Sequence, residues 1–175
     1  MLHPIDTPRL RLRCVLQADA AATSRLITPD VSRWVAYWPF PFTLAMAEER
    51  IAAVLKWASS GKMLPYAVIE KASDALIGWV MFTRDGDNPK RASFGYWLGE
   101  AYHGKGYMKE LAPVALAEAF TLLDVDVIEA AAQPENAASL AIMRRCGMHF
   151  IKESMLYAPA RARDELCHFY EIARP

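Results

Sequence analysis

Three β-rich runs lie so close together along this chain that only one way of joining them remains. Pro65–Glu70 (PYAVIE), Ala75–Phe82 (ALIGWVMF) and Ala92–Leu98 (ASFGYWL) are separated only by KASD and TRDGDNPKR. A parallel crossover needs about a dozen residues or more, so these connections force an antiparallel meander. A strand over Leu10–Leu16 precedes it, where Arg9, Arg11 and Arg13 alternate with Leu10, Leu12 and Cys14 and give one core face and one solvated face.

Helical spacing takes over between and after these runs. A short helix is expected near Asp19–Ile27. A longer one runs to Ser60, with Thr43 as N-cap, Leu44, Ala47, Ile51, Val54, Leu55 and Ala58 on one face, and Gly61 to close it. Between them, SRWVAYWPFPFT crowds two Trp, one Tyr, two Phe and two Pro into a segment where Pro39 and Pro41 forbid a regular element. Downstream, GYMKELAPVALAEAFTLL reads as a helix with a bend at Pro113. Val125–Ala132 reads as a buried strand, a helix starts at Asn136 and stops at Gly147, and strands at Met148–Ser154 and Leu166–Ala173 complete the order. The fold class is therefore α/β (α+β): a single domain over residues 1–175 with a mixed, mostly antiparallel sheet of about six to seven strands and about four helices.

Composition removes several classes of function. In 175 residues, 20 basic side chains balance 20 acidic ones, which gives no bulk attraction to nucleic acid or an anionic membrane. No run of eighteen apolar residues and no cleavable leader appear, so a cytoplasmic enzyme is expected. Cys14, Cys146 and Cys167 are odd in number and lack C-x-x-C spacing, arguing against disulfides and a zinc site; no metal is expected.

The stretch GEAYHGKGYMKE, residues 99–110, resembles a nucleotide phosphate loop with one letter changed. Gly99, Gly104 and Lys105 fit G-x-x-x-x-G-K, but Gly106 stands where a hydroxyl must bind magnesium. The strand before it also ends a meander, whereas P-loop proteins build on successive β-α-β units. What survives is a concavity of backbone N–H groups at a helix N-terminus, suited to a diphosphate, with Lys105 as added charge; a simple tight turn is the competing reading.

FGYWLGEAYHGKGYMKE, followed by PENAASLAIMRRCGM and preceded by TPRLRLR, resembles the GNAT acetyltransferases and, within them, the RimJ/RimL-type ribosomal-protein N-acetyltransferases. The resemblance spans the chain from Thr7 to the last strand. It implies a splayed sheet with acetyl-CoA between the strand ending at Trp97 and Leu98 and the strand Val125–Ala132. The family's Q/R-x-x-G-x-G/A motif falls on His103, Gly104, Lys105, Gly106, Tyr107 and Met108, with His103 and Met108 departing from it. By the same resemblance the Leu98 N–H polarises the thioester carbonyl, a β-bulge at Gly95 being one way to free it.

Asn136 and Ser139 read locally as an N-cap and a first-turn Ser. By resemblance they hold the pantetheine arm and protonate the departing thiolate, since Met143 stands where many relatives have Tyr. Glu153 is the expected base and Glu100 its rival, each equally readable as a surface carboxylate. Arg144 and Arg145 could meet the 3′-phosphate. Tyr37 and Trp38 are expected to contact the acceptor, or else to belong to an aromatic cluster over the sheet. The implied reaction is acetyl transfer from acetyl-CoA to a primary amine, foremost an N-terminal α-amine of a protein or peptide. A small-molecule amine acceptor and a non-catalytic CoA-binding sensor or scaffold are the alternatives, and an aromatic patch would also suit a homodimer.

Overall fold

The computed structural model describes residues 3–175. Its eight strands are β1 (Ile5–Asp6), β2 (Leu10–Cys14), β3 (Met63–Glu70), β4 (Ala75–Arg84), β5 (Arg91–Leu98), β6 (Val127–Ala132), β7 (His149–Ala158) and β8 (Arg163–Ala173). They form one sheet in the order β1-β2-β3-β4-β5-β6-β8-β7. Every neighbouring pair is antiparallel except β5 with β6. The eighth strand exceeds the expected six to seven because β1 is two residues long, too short to carry any periodicity.

Five helices cover the sheet: α1 (Ala20–Leu26), α2 (Pro29–Ser32), α3 (Leu44–Ser59), α4 (Tyr107–Leu123) and α5 (Ala137–Arg145). The additional one, α2, is a single turn capped by the Thr28 hydroxyl and opened by Pro29, inside a stretch with no helical period to read. Thr43 caps α3 as expected, its hydroxyl accepting from the Met46 N–H at 3.2 Å. α4 runs through Pro113 as one helix.

The helices divide two cores. Leu12, Val68, Phe82, Phe94 and Ile128 pack with Leu111, Ala115 and Met143 of α4 and α5 on one face. Val15, Ala67, Trp79 and Trp97 pack with Ile51 and Val54 of α3 on the other. Because cross-strand partners share a face, alternate residues of β5 belong to different cores: Phe94, Tyr96 and Leu98 to the first, Trp97 to the second. All three thiols are shifted upward, chiefly by burial. Among the described residues no helix is long and apolar enough to cross a membrane, and no three His, Cys, Asp or Glu side chains gather as a metal site.

Candidate active site

β5 loses its second neighbour halfway along. The Gly99 N–H donates to the Ile77 carbonyl at 2.9 Å, and the Asp85 N–H to the Arg91 carbonyl at 2.9 Å. In an antiparallel ladder that alternation turns odd-numbered peptide groups of β5 toward β4 and those of Phe94, Tyr96 and Leu98 toward β6. Pairing with β6 stops at Ser93 opposite Glu129. The Tyr96 and Leu98 peptide groups therefore face the splay. β5 meets β4 with no register shift, so the expected bulge at Gly95 is absent and strand divergence exposes the Leu98 amide instead. His103 Nε2 donates to the Leu98 carbonyl at 2.8 Å, which makes the imidazole a brace on this strand end rather than a group turned toward phosphate.

The loop beyond it is shaped by two left-handed glycines, Gly104 at φ +73° and Gly106 at φ +74°, and Gly106 is the N-cap of α4. Tyr107 and Met108 bury their side chains, so backbone N–H groups are what this helix end offers. The loop is tied to the first full strand. Arg9 Nη1 donates to the Lys105 carbonyl at 2.9 Å, Arg9 Nε to Glu110 Oε2 at 2.7 Å, and the Arg9 guanidinium lies 4.6 Å from the Tyr107 ring centroid. Burial pushes the Glu110 carboxyl up, but hydrogen bonds from the Thr7 hydroxyl and from the Arg9 N–H and guanidinium outweigh it and hold the group below the usual range. A contact across a hundred residues left no local signal in TPRLRLR. The Lys105 ammonium is exposed, 5.1 Å from the Tyr102 ring centroid.

Across the splay, the Tyr96 hydroxyl is hydrogen-bonded to Ser139 Oγ at 2.8 Å. Burial raises the Tyr96 phenol to about 12, against the opposing effect of the Ser139 bond, so it stays protonated at neutral pH. No local pattern marks Tyr96, because the position that resemblance gives to a phenol is one turn after Ser139. Met143 at that position is a core side chain, 2% exposed, and the phenol comes from β5 instead. Asn136 is the N-cap of α5, Oδ1 accepting from the Ser139 N–H at 3.1 Å, which leaves its Nδ2 for a ligand.

The remaining candidates separate. Glu153 on β7 bonds His168 at 2.8 Å. Extending the β5–β6 register by three sets Tyr96 level with Ala132, and Ala132, His168 and Glu153 follow as cross-strand partners on that row. Glu100 accepts from the Thr28 hydroxyl and ties the end of β5 to the α1–α2 connection. Arg144 and Arg145 are both exposed, and Arg144 Nη2 donates to the Tyr170 hydroxyl at 3.1 Å.

Two expectations are corrected. Trp38 is 2% exposed, wedged against Trp79 and Trp97 at 5.1 and 5.0 Å between ring centroids, so it supports the proline-broken aromatic segment from below and, of the pair, Tyr37 alone is exposed. Trp97 is buried in the same cluster with its peptide group on the β4 side, and it offers nothing to the splay.

That segment is itself held in place. Arg161 Nη1 donates to the Ser32 carbonyl at 2.7 Å, Gln133 Nε2 to the Arg33 carbonyl at 3.2 Å, and the Ala160 N–H to the Ala36 carbonyl at 2.9 Å. Glu165 gathers Arg161, Arg163 and Gln133. Hydrogen bonds led by Arg161 outweigh burial and draw its carboxyl down to about 2.

A glycine loop at a helix N-terminus, inward peptide groups on a splayed strand and a buried phenol–hydroxyl pair suit a thioester carried on a diphosphate-bearing arm. The "Uncharacterized N-acetyltransferase p20" of Bacillus licheniformis is 28% identical over 170 residues, covering 97% of this chain and 94% of that protein. The ribosomal-protein-S5-alanine acetyltransferase of Vibrio fischeri superposes with a TM-score of 0.85 at 18% identity, covering 99% and 100% of the two chains. RimL, a ribosomal L7/L12 alpha-N-protein acetyltransferase solved with coenzyme A, gives 0.83 at 16% identity and 98% of each chain. The model of the acetyltransferase (GNAT) domain matches residues 9–149, most of the sequence, and the chain thus belongs to the GNAT family of N-acetyltransferases, which use acetyl-CoA as acetyl donor.

Proposed function

We propose that this N-acetyltransferase acts on the α-amine at a protein or peptide N-terminus, by direct attack within a ternary complex. The Tyr96–Ser139 pair beside the inward Tyr96 and Leu98 peptide groups carries this reading, because a proton donor and a carbonyl-polarising N–H meet at one opening. No thiol is activated, since burial raises all three, so a covalent acyl-enzyme has no support. The likeness to solved ribosomal-protein acetyltransferases favours the α-amine as acceptor. An α-amine titrates near ~8 against ~10.4 for lysine, so it needs little help to become nucleophilic.

The neutral amine nitrogen bonds to the thioester carbon while the Leu98 N–H stabilises the carbonyl oxygen. The C–S bond then breaks, sulfur leaves with its electron pair, and the Tyr96 hydroxyl, hydrogen-bonded to Ser139, stabilises the thiolate and passes it a proton that solvent restores. The surplus amine proton passes through water to Glu153, whose carboxylate is paired with His168; Glu100 is the second acceptor within this scheme. Residues 103–108 cradle the pyrophosphate with Lys105 as counter-charge and His103 as brace. Asn136 Nδ2 meets the pantetheine arm, Arg145 the 3′-phosphate, and Tyr37 the acceptor. A cytoplasmic location fits such substrates.

An acceptor screen tests the reading: acetyl transfer to an octapeptide with a free N-terminus, and none to the same peptide Nα-acetylated with an internal lysine. Transfer only to lysine or to small amines would overturn it. Tyr96→Phe is expected to lower kcat roughly tenfold or more, at the low end for a proton donor because a thiolate leaves readily, with acetyl-CoA affinity unchanged. Full turnover would remove the phenol from the chemistry. Glu153→Gln is expected to lower kcat at pH 7 by about tenfold while coenzyme binding holds; an unchanged rate alongside a slowed Glu100→Gln would transfer the role to Glu100.

A further inference from the structure

Gly95 sits in the middle of β5 without any internal reason to be glycine. Its backbone is not left-handed, it pairs in regular register with Met81, and a Cβ built on it meets no atom within 4 Å. Gly78 on the neighbouring strand is the contrast: a Cβ there would lie 2.2 Å from the Trp97 carbonyl oxygen, so close backbone approach explains it. A strand-interior glycine weakens a sheet and often marks where a ligand or another backbone comes near. The space over Gly95 is therefore kept open at a cost, and nothing in the fold fills it.

That space belongs to the face opposite α4 and α5, the face of Trp97, since Tyr96 and Phe94 point the other way. A cavity of about 200 Å³ lies on one side of it, lined by Thr83, Arg91, Ser93 and Glu129. A cavity of about 60 Å³ lies on the other, lined by Trp34, Ala36, Ala131, Gln133 and Cys167. Continuing the register beyond Ser93 opposite Glu129 sets Gly95 level with Ala131. Ser93 lines the larger cavity, over the paired start of β5 and β6, and Ala131 the smaller, with Gly95 between them by register, so the sheet face from one cavity to the other forms a trough that leads from the paired end of β5 to the splay.

We infer that this trough receives the chain behind the attacking amine, and that Gly95 is the specificity-determining position that admits an extended peptide. The inference rests on the α-amine reading. Strand rise gives about 23 Å from Leu98 back to Arg91, room for several extended residues and far more than a small amine occupies. A floor of small side chains suits close approach of a main chain. The coenzyme, on the α4–α5 side, does not compete for this space.

The test compares wild type, Gly95→Ala and Gly95→Val for melting temperature, acetyl-CoA affinity, and acetyl transfer to a free-amine octapeptide and to ethylamine. Because the added Cβ meets nothing, the melting temperature should hold or rise, and coenzyme affinity should stay within about twofold. The octapeptide KM should rise severalfold with alanine and tenfold or more with valine, while transfer to ethylamine is unchanged. Unchanged octapeptide kinetics in Gly95→Val, or equal losses for octapeptide and ethylamine, would overturn the inference. Should the valine variant not fold, space-filling at Gly95 is structural after all and the inference fails on that ground, with alanine as the independent check. A wild type that acetylates ethylamine but no peptide would instead sink the α-amine reading and the trough's occupant with it.

Discussion

Gly106→Val is expected to abolish useful coenzyme binding, lowering acetyl-CoA affinity by roughly thirtyfold or more. A β-branched residue at φ +74° costs about 1–2 kcal/mol in the left-handed region, and relaxing that strain swings the first amides of α4 away from the ligand. The new side chain also faces the Arg9 guanidinium, 3.7 Å from where its Cβ would sit. Loss of affinity could reflect general damage, so Gly61→Val is the matched control: it has φ +70° and open space, but it lies after α3, away from the loop. It should lower the melting temperature and leave coenzyme affinity alone. Isothermal titration with acetyl-CoA on both variants decides the matter. If Gly106→Val binds within threefold of wild type, the loop is not the pyrophosphate cradle.

The second large effect is on stability, at Glu165. Its side chain is 10% exposed and that of Arg161 18%, so removing the carboxylate strands a mostly buried guanidinium. Glu165→Gln should cost about 2–4 kcal/mol, below the full penalty for a wholly buried pair because Arg163 remains in water. The variant also releases the grip on Ser32–Ala36, so acceptor KM should rise while acetyl-CoA affinity holds. Arg163→Ala, removing a partner that is 67% exposed, should change stability by no more than about 0.5 kcal/mol.

The same carboxylate sets a pH dependence. Its folded pKa, about 2, lies below the ordinary 4.5, so its contribution is fully present above pH 4.5 and is lost as pH falls toward 2. The shift is worth at most roughly 3 kcal/mol. Denaturant titrations at pH 7, 4.5 and 3 should show wild type losing stability faster than Glu165→Gln over that window. Parallel pH profiles for the two would refute the assignment.

How far the sequence could be read depended on distance along the chain. The meander, the Thr43 and Asn136 caps and the glycine loop are written within a few residues, where periodicity and backbone preference act directly. The groups that make the site work are not local. Arg9 reaches Lys105 and Glu110, Tyr96 meets Ser139 across the splay, and Arg161 fastens Ser32 and Val35. Trp38 illustrates the opposite error: an aromatic in an irregular, proline-broken segment looks exposed, yet here two further tryptophans absorb it. Alternation along β5 did hold a clue, since it sets Tyr96 on the α4–α5 face and Gly95 on the other, but only the pairing with β6 reveals that the strand opens beside them.

The upward shift of all three thiols has a practical side. A chromogenic disulfide reagent attacks only thiolate, and Cys14, Cys146 and Cys167 are each partly or wholly buried. In the native protein such a reagent will colour slowly on its own and promptly with coenzyme released by turnover. Activity can thus be followed continuously by absorbance, with no cysteine removed beforehand.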